Sequence, residues 1–90
     1  MRERRVEQEF TRRVKRLGGW AVKILPSVAG LPDRMAILPE GRIVFVELKA
    51  PNGTVATHQT VVHRRLAELG FPVVVLASLD EVGAWADSMA

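Results

Sequence analysis

Apolar residues recur every three or four positions near the start of the chain, and charged residues fill most of the positions between them. The apolar positions are Val6, Phe10, Val14 and Leu17. This is the spacing of one face of an α-helix, and Gly18-Gly19 would end that helix. The pattern predicts an amphipathic helix over about residues 3–17, with its apolar stripe turned toward a core.

Three segments rich in β-forming residues follow and predict three strands, at residues 20–25, 35–38 and 42–49. Only Pro39-Glu40-Gly41 separates the last two segments. This spacing suits a three-residue hairpin loop with Pro39 and Glu40 in a type I turn and Gly41 in the left-handed region. We therefore expect the last two strands to pair as an antiparallel hairpin, with Arg42 opposite Leu38.

The second half of the chain predicts a helix, a strand and a further helix. Thr57 would cap a helix running to Leu69. Its inward residues would be Val62, Leu66 and Leu69. The continuous apolar run at residues 71–77 is typical of a strand covered on both faces. Ser78 and Glu81 fit a capping box that starts the last helix. The inward residues of that helix would be Val82, Trp85 and Met89.

The element order α, β, β, β, α, β, α indicates an α/β fold with a mixed central sheet flanked by helices. A chain of 90 residues, 48% of them hydrophobic, is expected to form one domain over residues 1–90. Domains of this size often gain stability by pairing, which favours a homodimer. Because the chain has no cysteine, disulfides and thiolate metal sites are excluded.

The N-terminus, MRERRVEQEF, is too charged for a signal peptide, and the longest apolar run is far too short to span a membrane. We therefore expect an intracellular protein without a membrane partner. The formal net charge of +3 is compatible with a polyanionic partner such as nucleic acid.

Candidate chemistry lies where the most hydrophobic strand segment, IVFVELKAP, becomes polar. Glu47 and Lys49 lie two apart, so a strand points both to one side, about 7 Å apart. Counting back along the hairpin from Leu38 and Arg42 puts Asp33 opposite Glu47, with Cβ atoms about 5 Å apart. Two adjacent carboxylates repel unless a cation lies between them, and Mg²⁺ is commonly held by one or two carboxylates.

The same three residues also suit a plainer interpretation. A Glu-x-Lys pair at a strand end, with Asp33 near a turn, could be an exposed ion-pair cluster that contributes little to stability. The hairpin count places Asp33 beside Glu47 independently of any motif, so the metal site and the ion-pair cluster both stay open on the residues alone.

A family resemblance adds to this. GLPD at 30–33, followed by VELK at 46–49, resembles the PD-(D/E)xK nuclease superfamily, and the run GLPDRMAILPEGRIVFVELKAP is similar to the virus-type replication-repair nuclease (VRR-NUC) domain. The resemblance covers almost the whole chain, including the first helix with Lys23 after it, Gln59, and the ending LGFPVVVLASLDEV. It implies a restriction-endonuclease-like αβββαβα core. A bare PD…ExK is a weak motif, whereas ordered agreement over this length is specific.

The resemblance implies that Asp33, Glu47 and the main-chain carbonyl of Leu48 bind a catalytic Mg²⁺ or Mn²⁺. Lys49 would orient or help deprotonate the attacking water and stabilise charge in the transition state. Glu7 of the first helix would complete the acidic set, directly or through water. Gln59 would support the site from its helix. The expected reaction is hydrolysis of a phosphodiester bond in DNA.

Several of these residues have ordinary alternatives. Helical geometry alone would accept Glu3 as readily as Glu7, and the resemblance favours Glu7; either acid could instead be a solvated residue favourable to the helix dipole. A polar residue such as Gln59 in the first turn of a helix needs no special role. His58 and His63 are five apart, so one helix face does not bring them to a shared metal.

His63 would be either a polar residue at the edge of the core or a phosphate contact, and Trp20 and Trp85 are expected in the core. Lys23 and Arg34 are the expected contacts to DNA phosphates. Further basic residues of the first helix are expected by default to form a solvated face; they are Arg12, Arg13, Lys15 and Arg16. The family pattern usually has a basic, glycine-containing loop where this chain has ILPSVA at 24–29, which puts substrate preference in question.

We therefore expect a metal-dependent DNA endonuclease that is structure-specific for branched DNA such as four-way junctions. The resemblance implies a homodimer, because isolated-domain relatives are often phage or prophage encoded and dimeric, and two sites could then act on opposing strands. The expected location is the cytoplasm of a bacterial or phage-infected cell. The alternatives are a nicking or restriction-like nuclease on ordinary duplex DNA, and a non-catalytic nucleic-acid-binding or scaffold module that kept the fold.

Overall fold

The computed structural model describes residues 2–25, 27–51 and 53–90, although the side chains of Arg2 and Glu3 lie outside the description. In these ranges the helices and strands follow the predicted order. They are α1 (Arg2–Arg16), β1 (Trp20–Lys23), β2 (Arg34–Leu38), β3 (Arg42–Leu48), α2 (Thr57–Glu68), β4 (Val73–Leu76) and α3 (Leu79–Met89). None of the helices formed by these residues has the length and apolar character needed to cross a membrane.

The four strands form one mixed sheet in the order β1-β2-β3-β4. The β1/β2 and β2/β3 pairs are antiparallel, and β3 and β4 are parallel. Leu38 lies opposite Arg42, and the ladder continues to the pair of Arg34 and Val46. The predicted hairpin register is therefore confirmed.

The turn between β2 and β3 differs from the prediction. It has the expected three residues, Pro39–Gly41, but Glu40 has φ 68° and ψ 27°. A type I turn would require a negative φ at Glu40, so that assignment was wrong. Gly41 also has a positive φ, 75°. Two consecutive residues with positive φ have the hand of the primed turns, whose twist matches the right-handed twist of the strands they connect.

The core lies between one face of the sheet and the helices α1 and α3. The predicted stripe of α1 supplies Val6, Phe10 and Val14, and Phe10 meets Trp85 of α3 with ring centroids 5.5 Å apart. Alternate residues of β2 and β3 complete this layer, as the two-residue period of a strand requires. They are Ala36, Leu38, Val46 and Leu48.

The opposite face of the sheet is only partly covered, and this overturns two expectations. Trp20 was expected in the core but is 68% exposed, because it begins the edge strand β1 while α2 contacts the opposite edge strand, β4. The last strand was expected to be covered on both faces, yet Val75 is 40% exposed because α2 covers this face of β4 only in part. Trp85 is buried as predicted.

The helix ends are partly as predicted. Ser78 caps α3, because its hydroxyl accepts from the amide of Glu81, 3.1 Å away. The cap of α2 is Ala56, however, and Thr57 is the first helical residue. Leu69, expected to point inward, lies past the end of α2 and is exposed. The amide of Ala56 donates to the side chain of Gln59 at 3.1 Å, which is the half of a capping box that the third helical residue supplies.

Candidate active site

The polar end of β3 places one buried carboxylate on the α2 face of the sheet. Val46 and Leu48 point into the α1/α3 core, so strand alternation turns Glu47 the other way. Glu47 is only 4% exposed. Its Oε2 accepts a hydrogen bond from Nε2 of Gln59 at 2.9 Å and lies 3.2 Å from Nζ of Lys49. The predicted pairing of Glu47 and Lys49 on one side of the strand is therefore confirmed.

Gln59 is the residue that joins α2 to this pair. Its Oε1 accepts from Nζ of Lys49 and from the amide of Ala56, both at 3.1 Å, while its Nε2 donates to Glu47. A side chain in the first turn of α2 thus holds both charged groups at the end of β3. The expected support of the site by Gln59 has a direct geometric basis.

Asp33 lies at the same end of the hairpin. The ladder ends at the pair of Arg34 and Val46, and the next residues outward on the two strands are Asp33 and Glu47. Oδ1 of Asp33 accepts from the amide of Leu48 at 3.0 Å, which fixes the carboxylate against the backbone of β3. The structure therefore brings Asp33 to the residue whose carbonyl is the expected further metal ligand.

Glu7 reaches this cluster through an arginine. Arg34 points to the α1 side of the sheet, where its buried guanidinium forms an ion pair with Glu7. Its Nη1 also donates to the main-chain oxygen of Asp33 at 2.9 Å and lies 3.6 Å from Oδ2 of that residue. Arg34, expected to contact DNA, is thus placed between two acidic residues of the expected catalytic set.

A cleft of about 410 Å³ opens beside this ion pair, between α1 and strands β1 and β2. Glu7, Lys23 and Arg34 all line it. Lys23 is exposed at the end of β1, directly opposite Arg34 in the ladder. Of the two residues expected to contact phosphates, Lys23 is therefore the one whose side chain solvent can reach. The altered loop at 24–29 follows it, and residue 26 of that loop lies outside the described residues.

The described residues contain no group of three or more His, Asp or Glu side chains arranged to hold a metal ion. Asp33, Glu47, Lys49 and Gln59 are brought together, whereas Glu7 is connected to them by Arg34. The alternative acid, Glu3, has a side chain that lies outside the description.

One polar atom of the cluster suits a cation. Oε1 of Glu47 is buried and accepts no hydrogen bond from the described residues, whereas Oε2 is bonded to Gln59 and Lys49. A buried carboxylate oxygen without a partner is uncommon, since buried polar atoms are nearly always paired. Carboxylate, carbonyl and water oxygens are also the ligands that Mg²⁺ prefers. The residues present therefore fit a divalent cation at this position.

His63 is a nearby residue to which the sequence assigned no catalytic part. It lies one helical turn after Gln59 and is half-buried. Of the two positions expected for His63, the edge of the core and a phosphate contact, this is the edge of the core. Burial lowers the pKa of His63, the negative charge of Glu47 opposes that shift, and the positive charge of Lys49 adds to it. The spacing of four from Gln59 was the signal available in the sequence. His58 is exposed, because residues five apart on a helix do not share a face and His58 therefore projects away from His63.

Comparisons with known proteins bear on the fold and the family of the chain. No protein-family profile matches the chain. "Putative nuclease p44" of Acyrthosiphon pisum secondary endosymbiont phage 1 is 42% identical over 81 residues, which cover 89% of this chain and 87% of that protein. A solved structure described as "VRR_NUC domain" is 33% identical, with a TM-score of 0.92 over 100% of this chain and 99% of that one. The fold and these two relatives show that the chain belongs to the VRR-NUC nuclease family.

Proposed function

We propose that the protein is a metal-dependent DNA endonuclease that hydrolyses phosphodiester bonds at the site of Asp33, Glu47 and Lys49. The observation that carries the proposal is the buried Glu47 carboxylate, with one oxygen held by Gln59 and Lys49 and the other without a partner among the described residues. An exposed ion pair, the plainer alternative, would not bury a carboxylate to this extent.

Mg²⁺ or Mn²⁺ would be held by Asp33, Glu47 and the main-chain carbonyl of Leu48. When bound, the ion would lower the pKa of a coordinated water and neutralise charge that develops on the phosphate. Two carboxylates suffice for such an ion when waters and a substrate phosphate complete its shell. Glu7 would join this set directly or through water, at the expense of its ion pair with Arg34.

The chain's own residues would position the reacting groups. Gln59 fixes the ammonium of Lys49 beside Glu47, so the positive charge is already oriented when a phosphate arrives. A preoriented cation stabilises developing negative charge without reorganisation during the reaction. Lys49 would also orient or help deprotonate the attacking water. These roles require Lys49 to reach the substrate, and its side chain is partly exposed.

DNA would approach along the cleft that Lys23 lines beside Glu7. Lys23 would bind a phosphate there, since a basic side chain at a cleft wall attracts the backbone of nucleic acid independently of sequence. Arg34 would contribute positive charge from its buried position rather than an exposed contact.

We further propose a homodimer that cuts branched DNA such as four-way junctions, in a bacterial or phage-infected cell. The support for the dimer is the partly covered sheet face, where Trp20, Ile43 and Phe71 are exposed. Apolar side chains clustered on one face favour association. Two copies related by a two-fold axis would present two sites to opposing strands. The phage origin of the curated relative supports the proposed setting.

The proposal is tested by incubating the protein with Mg²⁺ or Mn²⁺ and labelled single-stranded, linear duplex, flap and four-way-junction DNA. Lys49→Ala should abolish cleavage. Arg65→Ala, which also removes one positive charge but lies on the exposed surface of α2, should cut as the wild type does. EDTA should stop the reaction.

Failure to cut any substrate would favour the non-catalytic nucleic-acid-binding module. Equal cleavage by Lys49→Ala would refute the assigned site. Preference for linear duplex over the junction would support the nicking or restriction-like alternative. Gel filtration against a monomer mass of 10.0 kDa tests the dimer, and elution at the monomer mass would refute it.

A further inference from the structure

Three side-chain atoms among the described residues are buried without a hydrogen-bond partner. They are Oε1 of Glu47, Nε2 of His63 and Nε1 of Trp85. Trp85 belongs to the core between α3 and α1, so the sheet separates it from Glu47. Glu47 and His63 both lie on the α2 side of the sheet. One of these two atoms is an acceptor, and the other can donate a hydrogen bond.

The helix geometry brings His63 toward Glu47. Gln59 and His63 are four residues apart, so they project from the same face of α2, one turn from each other. Gln59 already bonds Oε2 of Glu47 at 2.9 Å. The charges of Glu47 and Lys49 both act on the imidazole of His63, which places it within electrostatic reach of the pair.

We propose that His63 is a positioning residue for Glu47, with Nε2–H donating to Oε1 through one bridging water or after a small side-chain rotation. The bond satisfies both unpartnered atoms, which is the normal condition of buried polar groups, and a bridging water is the usual device where two such atoms lie apart. Because Nε2 is buried, this nitrogen faces the protein interior rather than solvent.

The consequence for the nuclease rests on the proposed function. With Gln59 and Lys49 on Oε2 and His63 on Oε1, both oxygens of Glu47 are held and the plane of its carboxylate is fixed. A carboxylate oxygen has two lone pairs, so Oε1 can accept this bond and still face a cation. Hydrogen bonds to ligating carboxylates orient them and typically change metal affinity 10- to 100-fold.

The test compares three variants by calorimetric titration with Mn²⁺. His63→Phe keeps a planar ring without the donor, His63→Gln restores a donor, and His58→Phe makes the same change at an exposed position of the same helix. We expect Mn²⁺ affinity to fall roughly 10- to 100-fold in His63→Phe, to recover in part in His63→Gln and to stay unchanged in His58→Phe. Wild-type affinity in His63→Phe would overturn the proposal.

Nitrogen-15 NMR of the imidazole gives a readout that needs no metal. The hydrogen bond requires the Nε2–H tautomer and a resonance that shifts in Glu47→Gln. An unprotonated Nε2, or a resonance insensitive to Glu47→Gln, would overturn the proposal whatever the Mn²⁺ result. If the wild type binds no Mn²⁺, the metal dependence of the proposed function fails, and this spectrum still decides whether His63 bonds Glu47.

Discussion

Removing the ammonium of Lys49 should destabilise the fold through the charge that it leaves behind on Glu47. The Glu47 side chain is 5% exposed and that of Lys49 is 21% exposed, with Nζ and Oε2 3.2 Å apart. Lys49→Met keeps the aliphatic length and removes the charge. The Glu47 carboxylate would then be buried with Gln59 as the remaining donor to Oε2 among the described residues, and without the charge of Lys49.

The size of the effect follows from the burial of the pair. Removing one partner of a fully buried ion pair costs about 3–5 kcal/mol, and the partial exposure of Lys49 lowers the expected loss to about 2–3 kcal/mol. A domain of this length has a total stability of about 5–13 kcal/mol, so the change is a large fraction of it. Glu47→Gln in the same background removes the uncompensated charge and should recover most of the loss.

Urea denaturation at pH 7 of the wild type, both single variants and the double variant measures this coupling. With a slope of about 1–1.5 kcal/mol per molar urea, Lys49→Met should lower the midpoint by about 2 M. The coupling energy of the four-membered cycle should exceed about 1 kcal/mol. Additive single effects, with coupling below about 0.5 kcal/mol, would show that Glu47 is not dependent on Lys49 and refute the reasoning.

Two further predictions concern stability away from the Glu47–Lys49 pair. Gly30→Ala should lower the free energy of unfolding by about 2–4 kcal/mol in urea, because φ is +94° and a Cβ would lie 2.7 Å from a main-chain oxygen of α2. Gly41→Ala, with φ +75° and no atom within 4 Å, should cost only about 1 kcal/mol, and equal losses would refute the packing argument. Hydrogen bonds from Arg12, and then Arg13, lower the pKa of Glu9 to about 2. Since this lies below the value of 4.5 expected when unfolded, the stabilisation is present above pH 4.5 and lost as the pH falls toward 2. Glu9→Gln should reduce the stability lost over this pH range by about 0.5–1 kcal/mol. An unchanged loss would show that Glu9 is not responsible.

Short-range pattern was enough to predict much of the fold and part of the site. The period of α1 identified Val6, Phe10 and Val14 as core residues, because a helix face depends only on local spacing. The strand period placed Glu47 and Lys49 on one side. The count of residues in the β2–β3 turn placed Asp33 across from Glu47 without any homologous structure.

The expectations that failed concern residues whose burial depends on where another element packs. The residues concerned are apolar and of the kind found in cores: Trp20, Leu69 and Val75. Their burial depends on the position of α2, which no local pattern specifies. The ion pair of Glu7 with Arg34 likewise joins elements that are distant in sequence. Contacts of that kind arise only once the sheet and helices are assembled.

The short turn between β2 and β3 has a consequence at a distance. Pro39–Gly41 is exposed, and five residue pairs separate it from the end of the hairpin where Asp33 lies, about 17 Å away. Because strand side chains alternate, shifting the pairing by one residue would exchange the residues facing α1 with those facing α2. The number of residues in the turn thus sets the strand register at a site that the turn does not contact. This number is therefore more constrained than the identity of the turn residues, so insertions there should be far more damaging than substitutions.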